Sequence, residues 1–376
     1  MSVGMVGRLL LAMRQPSIRK NLLLLTGSVS FSLLVMELAA RSVLPAPLPW
    51  LYPQLRYRPD PNLIFALAPR QIAYSADKRV EINEQGLRGA VVPYSRRVGR
   101  LRILFLGDSI VFGYGVREEE SVGSKVASLL KERGVAAEVI NAGVPAYNSE
   151  QEVAYLETEG VSYNPDWVIL GFCWNDINNQ VGVRVSRDGW LTDEGVRPST
   201  LARIGESEIG YRLRNWLKSS RMLYAFSIGF GSLDRILHTD DHELFRAELL
   251  EGRDTQRVAL GWRRVAEVLH RLEALETTRG FRVLVVAFPV PQALSNSFPM
   301  SSYPGKLWQI AEEEDLSFMD LEPVFRKFYR GHESLFIPYD GDHPNARGHL
   351  LAAQEISQFL TAHSCLRPYK SGEPKL

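Results

Sequence analysis

Three short apolar runs punctuate the chain, at residues 101–106, 167–172 and 281–289, and each stops at small or polar residues. Runs of this length without polar alternation suit strands buried on both faces of a parallel sheet. Weaker runs at 137–141 and 316–321 add two more strands. Helix-length segments fill the spaces. Residues 121–133 put Val122, Val126, Leu129 and Leu130 on one side, with Gly134 placed to end the helix. Further helices are expected at 150–159, at about 255–278 and near 305–314. Strands alternating with helices imply right-handed crossovers and a doubly wound α/β fold with a parallel sheet.

The amino terminus is of another kind. Residues 22–36 carry no charge, with Arg8, Arg14, Arg19 and Lys20 before them and Glu37 and Arg41 after. This asymmetry predicts a transmembrane helix whose N-terminus stays in the cytoplasm. Counted to Ala40 it approaches the roughly 20 residues a bilayer needs, with Glu37 reaching polar headgroups at the far interface. A cleaved signal peptide fits less well, because Leu38-Ala39-Ala40 before Arg41 is a poor cleavage site.

The domains expected are therefore a cytoplasmic stub and signal-anchor at 1–43, a Pro-rich linker with a small β-rich extension at 44–100, the α/β domain at 101–365, and a tail at 366–376. Residues 180–260 break the strand–helix rhythm and read as a helical insertion, with helices around 208–226 and 242–252. With 44 basic against 43 acidic side chains, nothing marks a nucleic-acid binder. Two cysteines, Cys173 and Cys365, do not make a disulfide framework.

In open α/β sheets ligands bind beyond the carboxyl ends of the strands. The residues delivered there are Gly107, Asp108 and Ser109 after the first strand, Asn141 to Asn148 after the second, Cys173 to Asp176 after the third, and Asp340 to His343 near the chain end. A serine hydroxyl becomes a nucleophile only when a base takes its proton, and the base needs a third group to hold its tautomer. Ser109 stands on a tight strand-to-helix turn. Asp340 lies three residues before His343, a spacing that lets the carboxylate reach the ring.

These blocks resemble the SGNH/GDSL hydrolases in four places and in the family's order: Gly107-Asp108-Ser109-Ile110, the NAGVPAYN segment at 141–148, Trp174-Asn175-Asp176-Ile177, and the DGDHPN segment at 340–345. The resemblance spans about residues 101–360. It implies a flavodoxin-like three-layer α/β/α sandwich and a serine esterase or acylhydrolase that works through an acyl-enzyme, without cofactor. Carried over by position, Ser109 is the nucleophile, His343 the general base and Asp340 its orienting acid. The backbone N–H of Ser109 and the side-chain amide of Asn175 become oxyanion donors. The third donor falls on Ala146, where the family has glycine, and Cys173 replaces another family glycine.

The competing readings are milder. Asp342 is the other carboxylate beside His343, but its side chain should point away. Asp108 and Asp176 are expected to hold loops through backbone N–H groups, Cys173 to be a packed thiol, and His349 to be structural. His270, His332, His343 and His349 show no paired metal-ligand spacing. The expected substrate is a small-molecule or glycan ester, met outside the cytoplasm. An O-acetyltransferase or deacetylase of an exported polysaccharide, and a non-catalytic glycan-binding module, remain the alternatives; the oligomeric state is not legible.

Overall fold

A computed structural model describes residues 16–177, 183–193, 207–237, 241–294 and 303–363. Five parallel strands form its central sheet: β1 (Leu101–Gly107), β2 (Ala137–Gly143), β3 (Trp167–Phe172), β4 (Arg282–Ala287) and β5 (Ser317–Asp320). Their spatial order is β2-β1-β3-β4-β5. This is the doubly wound, flavodoxin-like order. The chain reverses its direction of progress between β1 and β3, so a crevice opens beyond their carboxyl ends.

The principal helices, in chain order, are α1 (Pro16–Val43), α2 (Ser109–Phe112), α3 (Val122–Glu132), α4 (Ser149–Thr158), α5 (Glu208–Ser219) and α6 (Arg221–Leu237). They continue with α7 (Asp241–Leu250), α8 (Gln256–Arg279), α9 (Tyr303–Glu313), α10 (Glu322–Phe328) and α11 (Ala346–His363). Side-chain hydroxyls and amides start several of them. Ser121 caps α3, Asn148 caps α4 in a capping box with Gln151, and Thr255 caps α8, which Gly280 ends in the left-handed region.

Strand alternation divides the core in two. Leu104, Leu106, Val168, Leu170, Val283 and Val285 pack with α4, α8 and α9 on one face of the sheet. Ile103, Phe105, Ile169, Leu284 and Val286 pack with α3, α10 and α11 on the other. The result is a three-layer α/β/α sandwich. The strands are apolar at nearly every position because both faces are covered.

The chain divides into two compact units, one of residues 1–47 with 214–237, the other of 48–213 with 238–376. The sheet belongs to the second. Ahead of the sheet, Tyr57–Asp60 pairs with Ile64–Leu67 and Gln71–Ser75 with Lys78–Ile82, both antiparallel. The helix expected over 208–226 is two helices, α5 and α6, interrupted at Ser220. In the first unit, α1 is long and apolar enough to cross a membrane, and its apolar side chains are exposed. A membrane anchor and a signal sequence both satisfy that description.

Candidate active site

The turn from β1 into α2 is made by residues that tolerate crowding. A Cβ on Gly107 would lie 2.2 Å from Val111 Cγ2, and one on Gly143 would lie 2.3 Å from the Phe112 amide nitrogen. Glycine at both positions lets β1 and β2 end against α2. Asp108 caps that short helix, its Oδ1 accepting from Ile110 N–H at 2.7 Å. Arg88, buried, holds the other end: its guanidinium donates to the carbonyls of Phe112 (2.8 Å), Gly113 (2.6 Å) and Val116 (2.8 Å). Burial pulls the Arg88 pKa down to about 10, which still leaves a cation at neutral pH. Ser109, the first residue of α2, is fixed from both sides.

Ser109 and His343 are 234 residues apart in sequence and in contact in space. The hydroxyl lies 2.8 Å from His343 Nε2. On the far side of the ring, Nδ1 is 2.8 Å from Asp340 Oδ1. That one carboxylate oxygen also accepts the backbone N–H groups of Asp342 (3.0 Å) and His343 (2.8 Å). With Nδ1–H donating to the carboxylate, Nε2 keeps its lone pair and faces the hydroxyl as an acceptor. Burial disfavours the charged ring, but the hydrogen bond and charge of Asp340 outweigh it and raise the His343 pKa above 6.5. Asp340 pays the same desolvation, and the same contact carries its pKa below the usual carboxylate value.

Asp342 takes another direction. Its Oδ1 meets Arg246 Nη1 at 3.1 Å, and the Arg246 guanidinium stands 5.4 Å from the Trp174 ring centre. Tyr114 covers the His343 ring at 4.5 Å between centroids. Neither Tyr114 nor Arg246 carries a signal in the sequence that would place it here; both arrive from loops and helices whose positions only the fold fixes.

The turn at Trp174–Ile177 follows β3. Asn175 Nδ2 donates to Asp108 Oδ2 at 2.8 Å, while its Oδ1 accepts from the Cys173 thiol. One amide hydrogen is thus spent on Asp108 and the second remains for another acceptor. Asp176 Oδ2 accepts Cys173 N–H at 2.6 Å. Asp108 and Asp176 each hold a loop by accepting a backbone N–H. Cys173 is buried, and burial pushes its thiol pKa up, which keeps it protonated.

Ala146 sits in a turn in which Tyr147 N–H bonds Val144 O at 3.1 Å. Proline at the second position, Pro145, and positive φ at the third make the type II pattern, which prefers glycine there. Ala146 occupies it at φ 74°. Beneath this turn Glu152, on α4, is buried beside Asp176. Burial, then the charges of Asp176 and Asp108, raise the Glu152 pKa well above normal; burial and Asp108 do the same to Asp176. Two adjacent buried carboxyls each disfavour the other's ionisation.

Three of the expected site residues, Ser109, Asp340 and His343, form one hydrogen-bonded line. Asn175 joins through Asp108, and Ala146 stands on the turn that follows β2. Among the described residues His270, Glu273 and Glu314 are the group that brings possible metal ligands within 4.8 Å of one another. That group lies at the surface, and His270 pairs with Glu314 at 2.9 Å.

The chain is similar to several solved structures. A two-domain esterase (CEX) active on acetylated mannans aligns with 18% identity and a TM-score of 0.40, over 73% of this chain and 52% of its own. The chain therefore spans about half the length of that esterase. TesA aligns with 13% identity and a TM-score of 0.40, over 69% of this chain and 98% of its own. A catalytic mutant of the acetylxylan esterase Axe2 from Geobacillus stearothermophilus gives 16% and 0.40, over 70% and 95%. No curated protein matches. The signature of the GDSL-like lipase/acylhydrolase family matches residues 105–351. The match covers well over half of the sequence and takes in every residue of the hydrogen-bonded line, so the chain belongs to the GDSL-like lipase/acylhydrolase family.

Proposed function

We propose that Ser109 attacks the carbonyl carbon of a carboxylic ester, with His343 as base and Asp340 as its orienting acid. The 2.8 Å contact of Ser109 Oγ with His343 Nε2, in line with the 2.8 Å contact of Nδ1 with Asp340, carries the reading. His343 takes the hydroxyl proton as the Ser109 Oγ–carbon bond forms. It returns that proton to the alkoxide as the ester C–O bond breaks, leaving an acyl-Ser109 and a free alcohol. Water then attacks the acyl-enzyme with His343 again as base. The tetrahedral oxyanion is received by Ser109 N–H, Ala146 N–H and the second amide hydrogen of Asn175. In support, Ala146 N–H makes no backbone hydrogen bond among the described residues. No cofactor enters these steps.

The same proposal assigns residues 101–365 to the catalytic domain, 44–100 to a linker with a β-rich extension, and α1 to a membrane anchor that leaves the catalytic domain outside the cytoplasm. The test is turnover of p-nitrophenyl acetate by the full chain. Ser109→Ala and His343→Ala each abolish nearly all turnover, and the double variant is scarcely worse than either, because the pair acts as a unit. Losses that add would refute the shared mechanism.

A further inference from the structure

Exposed apolar surface is not confined to α1. Helix α5 is amphipathic in an unusual way, because its exposed side is itself divided. Ile209, Leu213, Trp216 and Leu217 form an exposed apolar stripe, Ile209 at 73% and Trp216 at 64% exposure. Beside it runs an exposed polar strip of Glu208, Arg212 and Ser219, with Arg212 paired to Glu208 at 2.9 Å. Gly210 and Tyr211 face inward. A stripe in which four large apolar side chains recur at helical spacing on the water side is costly unless something covers it.

The structure also ties this helix to α1. Glu37, near the end of the apolar run of α1, accepts from Ser220 Oγ (2.7 Å), Arg221 N–H (3.1 Å) and Met222 N–H (3.2 Å). Its carboxylate therefore caps the first turn of α6, satisfying donors that the helix cannot satisfy itself. Arg41 donates to Glu37 at 2.7 Å and to Ser219 O at 2.9 Å, and Arg221 Nη1 returns to the carbonyls of Arg41 (2.5 Å) and Leu44 (2.6 Å). The Glu37 oxygens are spent on Arg41 and the α5–α6 junction. The junction is thus locked to the last turns of α1, the level at which an anchor leaves the bilayer.

We propose that α5 and the start of α6 form a second, interfacial membrane contact, with the stripe of Ile209, Leu213, Trp216 and Leu217 laid in the headgroup–acyl boundary. The occupant is the lipid of the bilayer that α1 enters, and the inference rests on reading α1 as the anchor. Three observations choose lipid. The clamp holds the junction at the exit of α1. A helix of 12 residues is too short to cross a bilayer. A narrow apolar stripe flanked by a charged strip, with Trp216 in it, suits a helix lying in the interface plane. Leu223, exposed on the first turn of α6, extends the apolar surface beyond the clamp.

The test uses the full chain in vesicles of phosphatidylethanolamine and phosphatidylglycerol doped with a lipid bearing a photoactivatable diazirine in its acyl chain. Labelled residues are located by mass spectrometry after irradiation. Labelling is expected along residues 22–36 and on the α5 stripe, with the stripe about tenfold above Arg212 and Ser219 on the polar strip of the same helix. Label on residues 22–36 with none on the stripe overturns the interfacial contact and leaves the anchor standing. Label on the stripe with none on residues 22–36 removes the anchor reading and, with it, the contact proposed beside that anchor. Label on neither, or equal label on stripe and polar strip, overturns the contact.

Discussion

Replacing Asp340 by asparagine separates charge from orientation at this site. In many triads the amide turns its NH2 toward the ring and imposes the wrong tautomer. Here the oxygen that meets His343 Nδ1 is the same Oδ1 that accepts Asp342 N–H and His343 N–H. Two backbone donors keep an oxygen in that place, so Asp340→Asn retains the tautomer and loses the charge. A unit charge pair about 4 Å apart in an effective dielectric near 20 is worth about 4 kcal/mol, or about three powers of ten in rate. The expected loss in kcat/KM on p-nitrophenyl acetate is therefore about a thousandfold. Asp342→Asn, which touches Arg246 at 3.1 Å, stays within about fivefold of the parent by the same account, since it changes no hydrogen bond to the ring. The pH profile gives an independent readout. In the proposed mechanism neutral His343 is the active form, and Asp340 raises its pKa above 6.5, so the acid limb of kcat/KM is expected above pH 6.5 in the parent and at lower pH in Asp340→Asn. Near-parental turnover in Asp340→Asn, or an equal loss in Asp342→Asn, would refute the reasoning.

Asn175→Ala removes a proposed oxyanion donor and is expected to lower kcat about a hundredfold or more, while Ala146→Gly keeps its N–H and is expected to change kcat less than about tenfold; initial rates on the same ester compare them. Ala146→Gly also relieves the φ of 74° and raises the thermal midpoint, because a non-glycine residue in the left-handed region costs roughly 1–2 kcal/mol, against about 0.4–1 kcal/mol lost to chain entropy. Glu152→Gln tests the buried acid pair. Raised carboxyl pKa values contribute stability that is full below the unfolded pKa and is lost as pH rises toward the folded one. The glutamine variant therefore gains thermal stability over the parent as pH rises from 5 to 9, and a parallel pH dependence in both proteins would refute the raised carboxyl pKa values.

The parts of the fold visible in the sequence are those where burial is two-sided. β1, β3 and β4 are apolar at nearly every position because helices cover both faces, and such runs have no other easy reading. The proximity of the candidate site residues was legible through spacing and motif: Asp340 and His343 share a turn, and Gly107 precedes Ser109 because a Cβ there meets Val111. Other features depend on tertiary contacts that leave no local mark. Arg88 looks like any charged residue after a glycine-containing turn until its guanidinium is seen on the carbonyls that end α2. Glu152 reads as the polar face of a helix and proves to be buried against Asp176. The break between α5 and α6 is invisible in the periodicity of 208–226, because Ser220 can continue a helix; the cap that stops it comes from Glu37, 183 residues away.

Reaction of the full chain with a fluorophosphonate probe, followed by peptide mass spectrometry, tests the central claim most directly. A serine becomes reactive to such a probe only where a base and an oxyanion site are assembled around it. The account predicts a stoichiometric adduct on Ser109 that disappears in His343→Ala while the protein remains folded. An adduct on another serine, or none on Ser109 in the folded protein, would contradict it.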